Sequence, residues 1–68
     1  MDATHRRLSA RIKALAKQRG WSLNQVADFA VVSRGFLSEV LAGEKSPSLR
    51  TLTKLASALG VEVRDLLG

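Results

Sequence analysis

The chain has 68 residues, and a domain of this length lies near the lower limit for folding without a disulfide or a bound metal. It contains no cysteine, which excludes disulfides and thiolate metal sites, and 11 basic against 6 acidic residues give a net charge of +5. No apolar run approaches the roughly 18 residues of a membrane-spanning helix, so we expect a cytoplasmic protein without a signal peptide. The positive charge fits solubility and attraction to a polyanion equally well.

The first predicted helix follows a short, loosely held arm over residues 1–5, with Thr4 as its cap. Its apolar stripe consists of Leu8, Ile12, Leu15 and Ala16. Its other face is basic and carries Arg6, Arg7, Arg11, Lys13, Lys17 and Arg19. The first two are expected at the rim of a binding surface, and the other four are expected to be solvated. Such a helix could adsorb to a membrane surface, but a domain this small needs the stripe for its core. Gly20 is expected to end the helix, and Trp21 to pack over the junction with the next one.

Two short helices joined by a tight turn are predicted between Leu23 and Gly43, with Gly43 as the final cap. Ser22 and Gln25 form a capping-box pattern before the first helix, and Ser33 is suited to start the second. The inward stripes are Val26, Ala27 and Ala30, followed by Phe36, Leu37, Val40 and Leu41. The start of the second helix is therefore expected to face outward.

Two further helices complete a single domain over residues 1–68. Pro47 stops any helix from running through the preceding loop, Ser48 caps the fourth helix, and Gly60 ends it. The inward stripe of the fourth helix is Leu49, Leu52, Leu55, Ala56 and Leu59. A last short turn or helix contains Val61, Val63, Leu66 and Leu67. We predict no enzyme, cofactor or metal site, because His5 stands alone and is expected to be exposed and idle, and no carboxylate pair or phosphate loop is present.

These segments resemble the Cro and phage-repressor type of helix-turn-helix proteins, known as the XRE family. The resemblance rests on SLNQVADFAVVSRGFLSEVLAG, EKSPS and LRTLTKLASALGVEVRDLL, and it covers nearly the whole chain. It implies an all-α, compact five-helix bundle of the lambda-repressor-like type, in which helices 2 and 3 form the helix-turn-helix. Helix 3 is then expected to lie in the major groove of double-stranded DNA, usually in a dimer on a two-fold site. A bacterial or phage protein associated with the nucleoid is expected.

Three positions depart from the family pattern. Val31 replaces a turn glycine, and a β-branched residue at positive φ costs about 1–2 kcal/mol, so the turn is either strained or avoids that conformation. Leu23 replaces a glutamine that often braces phosphate and the first reading side chain, and that role is not carried over. Leu41 replaces a frequent glutamate and favours simple packing.

Three sets of candidate site residues follow: the first from the resemblance, the second from the helix N-termini, and the third from the apolar residues of the C-terminal helix. The base-reading set is Ser33, Arg34, Gly35, Phe36, Ser38 and Glu39. The phosphate-binding set, at the starts of helices 2 and 4, is Ser22, Asn24, Lys45, Ser46, Ser48 and Arg50. The homodimer set, in the C-terminal helix, is Val61, Val63 and Leu67. Arg34 is expected to bond O6 and N7 of one guanine, a contact that contributes about 1–3 kcal/mol of discrimination, with a phosphate contact or solvation as alternatives.

The expected function is that of a sequence-specific, DNA-binding transcriptional regulator of the repressor type. The alternative is a protein-interaction module on the same fold: an antirepressor, antitoxin or adaptor that binds a protein partner rather than DNA. Its motivation is a set of residues that weaken polar readout and add apolar surface: Phe29, Val31, Gly35 and Phe36.

Overall fold

The helical periods of the sequence fold into five α-helices, and the structure, a computed structural model, describes residues 3–68. The helices are α1 (Ala3–Arg19), α2 (Leu23–Ala30), α3 (Arg34–Leu41), α4 (Leu49–Leu59) and α5 (Val63–Leu67). No strand occurs within this part of the chain, so the predicted all-α fold is confirmed. None of these helices is long and apolar enough to cross a membrane.

Serine side chains begin three of the helices. Ser22, Ser33 and Ser48 each accept a hydrogen bond from the backbone N–H three residues ahead, at 3.1, 2.9 and 3.1 Å. Ser22 also donates its backbone N–H to Oε1 of Gln25 at 2.7 Å, which completes the capping box. The three predicted starts are confirmed, and they fix where α2, α3 and α4 enter the bundle.

Four helices are followed by a residue in the left-handed conformation. These residues are Gly20, Val31, Gly43 and Gly60, with φ of 71°, 58°, 80° and 73°. After α2, the N–H of Val31 donates to the carbonyl of Asp28 at 3.2 Å, and the N–H of Val32 donates to that of Ala27 at 3.0 Å. This is a Schellman motif, which normally uses glycine because a Cβ is crowded there. Val31 was expected either to be strained or to avoid a positive φ, and it adopts the strained left-handed conformation.

The core is built from the apolar stripes of all five helices. Its buried apolar residues are Leu8, Ile12, Leu15, Ala16, Val26, Ala27, Ala30, Leu37, Val40, Leu41, Leu52, Leu55, Ala56, Leu59 and Leu66. Helix α1 packs against α3 and α5, while α2 packs against α4. One side of α3 thus packs against α1, and its opposite side faces solvent.

The prediction of a loose N-terminal arm over residues 1–5 is wrong for residues 3–5, which belong to α1. Thr4 lies in the first turn of α1 and does not cap it, while the first two residues lie outside the described part. This first turn of α1 lies beside the loop before α4, where Thr4 and His5 line a groove with Pro47. His5 is half-buried there, and its Nε2 lies 3.4 Å from the carbonyl oxygen of Lys45, so it is not the exposed residue expected.

Two arginines of α1 bind within the protein, contrary to the solvated face that was expected. Arg11 donates from Nε to the carbonyl oxygen of Asp65 at 2.9 Å, because packing of α5 on α1 brings this helix-end carbonyl within reach. Arg19 donates to the carbonyl of Leu15 at 3.1 Å, and its guanidinium lies 5.9 Å from the centre of the Trp21 ring. These two side chains therefore stabilise the bundle.

Two expectations at helix ends are also wrong. Leu49 was placed on the inward stripe of α4, but it is 71% exposed because it is the first residue of the helix and precedes the turn that packs on the core. Helix α3 ends at Leu41 with Ala42 as its cap, so Gly43 follows the cap instead of forming it. Neither difference changes the path of the chain.

Candidate nucleic-acid interface

One face of α3, together with the cap residue Ser33, is exposed to solvent. Ser33, Arg34, Gly35 and Ser38 are exposed, whereas Leu37 on the opposite side of the same helix is 2% exposed. The helical period separates these two faces, and the buried face fixes the rotation of the helix about its axis. Four of the six residues that were predicted to read bases are therefore accessible to a large partner.

Arg34 makes a bidentate ion pair with Asp28, near the end of α2. Its Nε donates to Oδ1 at 3.1 Å and its Nη2 donates to Oδ2 at 2.6 Å. The hydrogen bond from Arg34 lowers the pKa of the Asp28 carboxyl below its ordinary value, and the carboxylate raises the pKa of the guanidinium in turn. The two side chains are 58% and 51% exposed, so the charged pair lies on the surface.

Asp28 was not among the predicted site residues. The available signal was an acidic residue six positions before the arginine, on the other side of a three-residue turn. That spacing has no fixed meaning along a continuous helix, because it depends on the angle at which α2 and α3 meet. The pair could be recognised only once that angle was known.

Glu39 and Lys45 were predicted to have separate roles, in base reading and phosphate binding, and the structure brings them together. The Nζ of Lys45 lies 3.5 Å from Oε2 of Glu39, and both side chains are partly exposed. The carbonyl of Glu39 also accepts the backbone N–H of Glu44 at 2.9 Å, which folds the loop back over the end of α3. Lys45 is consequently held close to α3.

The remaining base-reading candidates differ in the hydrogen-bonding groups and the exposed surface that are available to a partner. The Oγ of Ser33 already accepts the N–H of Phe36, which leaves the hydroxyl proton for another partner. Phe36 is half-buried and packs against the core. A Cβ at Gly35 would meet only Oγ of Ser33, at 3.9 Å. Since glycine costs about 1 kcal/mol in a helix and packing within the protein does not require it, the absent side chain favours close approach of an outside molecule.

A groove of about 370 Å³ connects candidates of both kinds. Asn24 from α2 lines it together with Arg34 and Ser38 from α3. Lys13 of α1, which was expected to belong to a merely solvated face, lines the same groove. The structure thus places one predicted phosphate-binding residue beside two predicted base-reading residues and adds Lys13, a cation outside the predicted sets.

The other phosphate-binding candidates lie at two helix starts. Ser22 begins α2, and Ser46, Ser48 and Arg50 surround the start of α4, where all of them are exposed. Backbone N–H groups in the first turn of a helix have no partner within that helix and favour anions. The Oγ of Ser48 also lies 3.1 Å from the hydroxyl of Thr51, so this serine is shared between two local contacts.

The dimerisation candidates lie in and just before α5. Val61 and Val63 are half-buried and pack against the core, whereas Leu67 is 38% exposed. Part of this apolar set is therefore used inside the chain, and Leu67 offers the largest share of free apolar surface.

Comparison with known proteins identifies the family. The helix-turn-helix family model matches residues 12–66. The HTH-type transcriptional regulator SutR of Escherichia coli is 41% identical over 61 residues, which are 90% of this chain and 34% of SutR. The first two curated relatives are matched over 34% and 47% of their lengths, so this chain spans about a third to a half of them.

Two solved structures share nearly the whole fold. The restriction-modification controller protein C.AhdI from Aeromonas hydrophila superposes with a TM-score of 0.86 at 29% identity, over 96% of this chain and 98% of that one. SinR, the master regulator for biofilm formation, solved in complex with DNA, superposes with a TM-score of 0.81 at 34% identity, over 90% and 98%. The resemblance inferred from the sequence is confirmed, and the chain belongs to the helix-turn-helix family, with α2 and α3 as its two defining helices.

Proposed function

We propose that this chain is a sequence-specific, DNA-binding transcriptional regulator of the repressor type that reads the major groove with α3. The observation that carries the proposal is the start of α3, where Arg34 and short polar neighbours are exposed while Leu37 anchors the helix from behind. An α-helix fits the major groove, where each base pair presents its own pattern of donors and acceptors. The names of SutR as a transcriptional regulator and of SinR in complex with DNA support the same function here.

The phosphate contacts in this proposal come from the starts of α2 and α4. Ser22 and Asn24 serve the first, and Lys45, Ser46 and Ser48 serve the second, with Arg50 beside them. Such contacts orient the domain on the duplex without reading its sequence. The net charge of +5 adds a general attraction to DNA.

A homodimer on a two-fold site completes the proposal. Val61, Val63 and Leu67 would form its interface, and the small apolar area left free on α5 favours a dimer that is completed on DNA. The corresponding location is the cytoplasm of a bacterium or of a phage-infected cell, at the nucleoid.

Selection of bound duplexes from a random pool tests the function directly. We expect a recurring motif with a guanine opposite Arg34, and an affinity that falls steeply as salt rises, because phosphate contacts release counterions. Failure to enrich any motif, together with an affinity that hardly responds to salt, would overturn the proposal.

The second candidate is a module that binds a protein partner. The observation that favours it is the exposed apolar pair Phe29 and Val31, which are 53% and 78% exposed. The Phe29 ring packs on Trp21 with centroids 4.7 Å apart, and all three residues line one groove with α4. An apolar contact of this kind would be nearly independent of salt, so the same salt series separates the two functions.

A further inference from the structure

We propose that Asp28 is a positioning residue that sets base specificity by holding Arg34 so that one edge of its guanidinium is presented to a guanine. This inference rests on the proposed DNA-reading function and adds a residue to it. In this role Asp28 acts through Arg34, whose guanidinium it binds with both carboxylate oxygens.

The geometry of the ion pair divides the guanidinium into a used edge and a free edge. A guanidinium has five N–H donors, and two of its edges carry a pair of parallel donors. Asp28 takes the Nε–Nη2 edge, with distances of 3.1 and 2.6 Å. The Nη1–Nη2 edge has no hydrogen-bond partner within residues 3–68. Two parallel donors on one edge match O6 and N7 of guanine.

The pair also prepares the side chain for binding. A free arginine samples many rotamers, and ordering it on DNA would reduce affinity. Asp28 lies on α2, whose rotation is fixed by buried Val26 and Ala27, so the anchor of the guanidinium is itself rigid. Arg34 is therefore tied at both ends, by its own backbone in α3 and by a carboxylate on α2.

The charge of the pair predicts a second effect. Paired with Asp28, Arg34 adds almost no net charge to the reading face, so it contributes little to the attraction of phosphates. Without Asp28, the same side chain would be a mobile cation able to bind any phosphate in reach. Asp28 therefore lowers affinity for unrelated DNA while it raises discrimination at one base pair.

The test uses the whole chain and the duplex selected by the wild-type protein. Affinity is measured over a salt series for that duplex, for one in which the Arg34-dependent guanine is replaced, and for an unrelated duplex. For Asp28→Asn we expect discrimination at that guanine to fall by about fivefold or more. Affinity for the unrelated duplex should rise, and the slope against salt should steepen by about one unit.

Glu62→Gln is the matched control. It removes the same charge from another exposed pair, in which Oε2 of Glu62 lies 2.6 Å from Nε of Arg64. We expect this variant to keep the wild-type discrimination ratio, so any effect of total charge is measured separately.

A double-mutant cycle distinguishes positioning from a merely structural role. In an Arg34→Ala background, Asp28→Asn should no longer change discrimination, because the side chain that it positions is gone. A structural role would lower affinity for all duplexes by one factor and lower the unfolding temperature. Wild-type discrimination in a folded Asp28→Asn variant, with discrimination lost in Arg34→Ala, would overturn this inference alone. A wild-type protein that selects no sequence would overturn the proposed function as well.

Discussion

At the scale of single residues, two cationic side chains near α3 are each paired with a carboxylate. Arg34 is bound by Asp28, and Lys45 lies 3.5 Å from Glu39. Exposed pairs of this kind contribute little to folding stability, since water and salt screen them. Their consequence is geometric: they restrict where two cations lie relative to the reading helix.

Removal of the Arg34–Asp28 pair as a unit tests what Arg34 reads. The Arg34→Ala/Asp28→Asn variant keeps the wild-type net charge, whereas Arg34→Ala alone would expose an unpaired carboxylate to DNA. We expect the double variant to lose discrimination at one guanine, about 1–3 kcal/mol, with nearly unchanged salt dependence. Affinities for matched and substituted duplexes over a salt series measure both quantities. An equal loss on every sequence would instead identify Arg34 as a phosphate contact.

Lys45→Ala should have the opposite signature. We expect affinity to fall uniformly across sequences, because a phosphate contact carries no sequence information. The salt slope should decrease by about one unit, because the single 3.5 Å contact with Glu39 leaves the ammonium of Lys45 able to bind a phosphate, unlike the bidentate pair of Arg34. Lys54→Ala, which removes an equal charge from an exposed position on α4, serves as the control. A change in base preference in Lys45→Ala, measured on the same duplexes, would contradict the phosphate role.

At the scale of helices and turns, four helices use one closing motif, but one of them uses valine. Gly20, Gly43 and Gly60 adopt the left-handed conformation without crowding, while Val31 adopts it with a branched side chain that is 78% exposed. The exposed side chain recovers little energy by burial. The motif nevertheless fixes the turn between α2 and α3, and hence the approach of Asp28 to Arg34.

Val31→Gly should stabilise the domain. Relief of the left-handed strain contributes about 1–2 kcal/mol, which the greater chain entropy of glycine partly offsets. A net gain of about 1 kcal/mol corresponds to a rise of about 4–8 °C in the midpoint of thermal unfolding for a domain of this size. Circular dichroism during heating measures the shift.

Gly60→Ala is the reciprocal control for that experiment. It places a Cβ in the same left-handed conformation after α4, where that atom would meet only Nη2 of Arg19, at 3.8 Å. This is an ordinary contact, so a loss of stability would reflect the backbone conformation and not a clash. An unfolding midpoint that stays the same in both variants would show that the left-handed position carries no net strain.

At the scale of the whole molecule, the proposed function requires a small bundle to expose α3 to DNA and to leave a surface for a second copy. Helix α1 packs on both α3 and α5, so it connects the reading helix to the proposed dimer helix. The bond from Arg11 to the carbonyl of Asp65 strengthens that connection. Through this connection, α5 would set the distance between the two copies of α3 in a dimer.

This arrangement predicts a defined spacing between half-sites. Two copies should bind cooperatively to half-sites one helical turn apart, about 34–36 Å, and insertion of half a turn should abolish the cooperativity. Leu67→Ser should weaken cooperativity while the affinity for an isolated half-site stays near the wild-type value. Sedimentation velocity with labelled duplexes measures the number of bound copies. Independent binding of the second copy at every spacing would contradict the predicted dimer.

Local patterns in the sequence determined where most helices begin and end and which faces they bury. Serine caps, left-handed glycines and apolar stripes involve residues within one or two turns of each other, so they can be identified without knowing the fold. The family resemblance extended this to the position of α3 and to the exposure of Arg34. For the same reason, the outward face of the helix-turn-helix could be predicted.

Contacts between helices were decided only by the tertiary structure. The pairing of Asp28 with Arg34, the docking of Arg11 on α5 and the helical turn at Thr4 each depend on the angle and offset between separate elements. Those angles come from the packing of side chains distributed over the whole chain, and no short stretch encodes them. The sequence by itself therefore determined the helices and the face that α3 exposes, whereas the fold decided how its arginine is held.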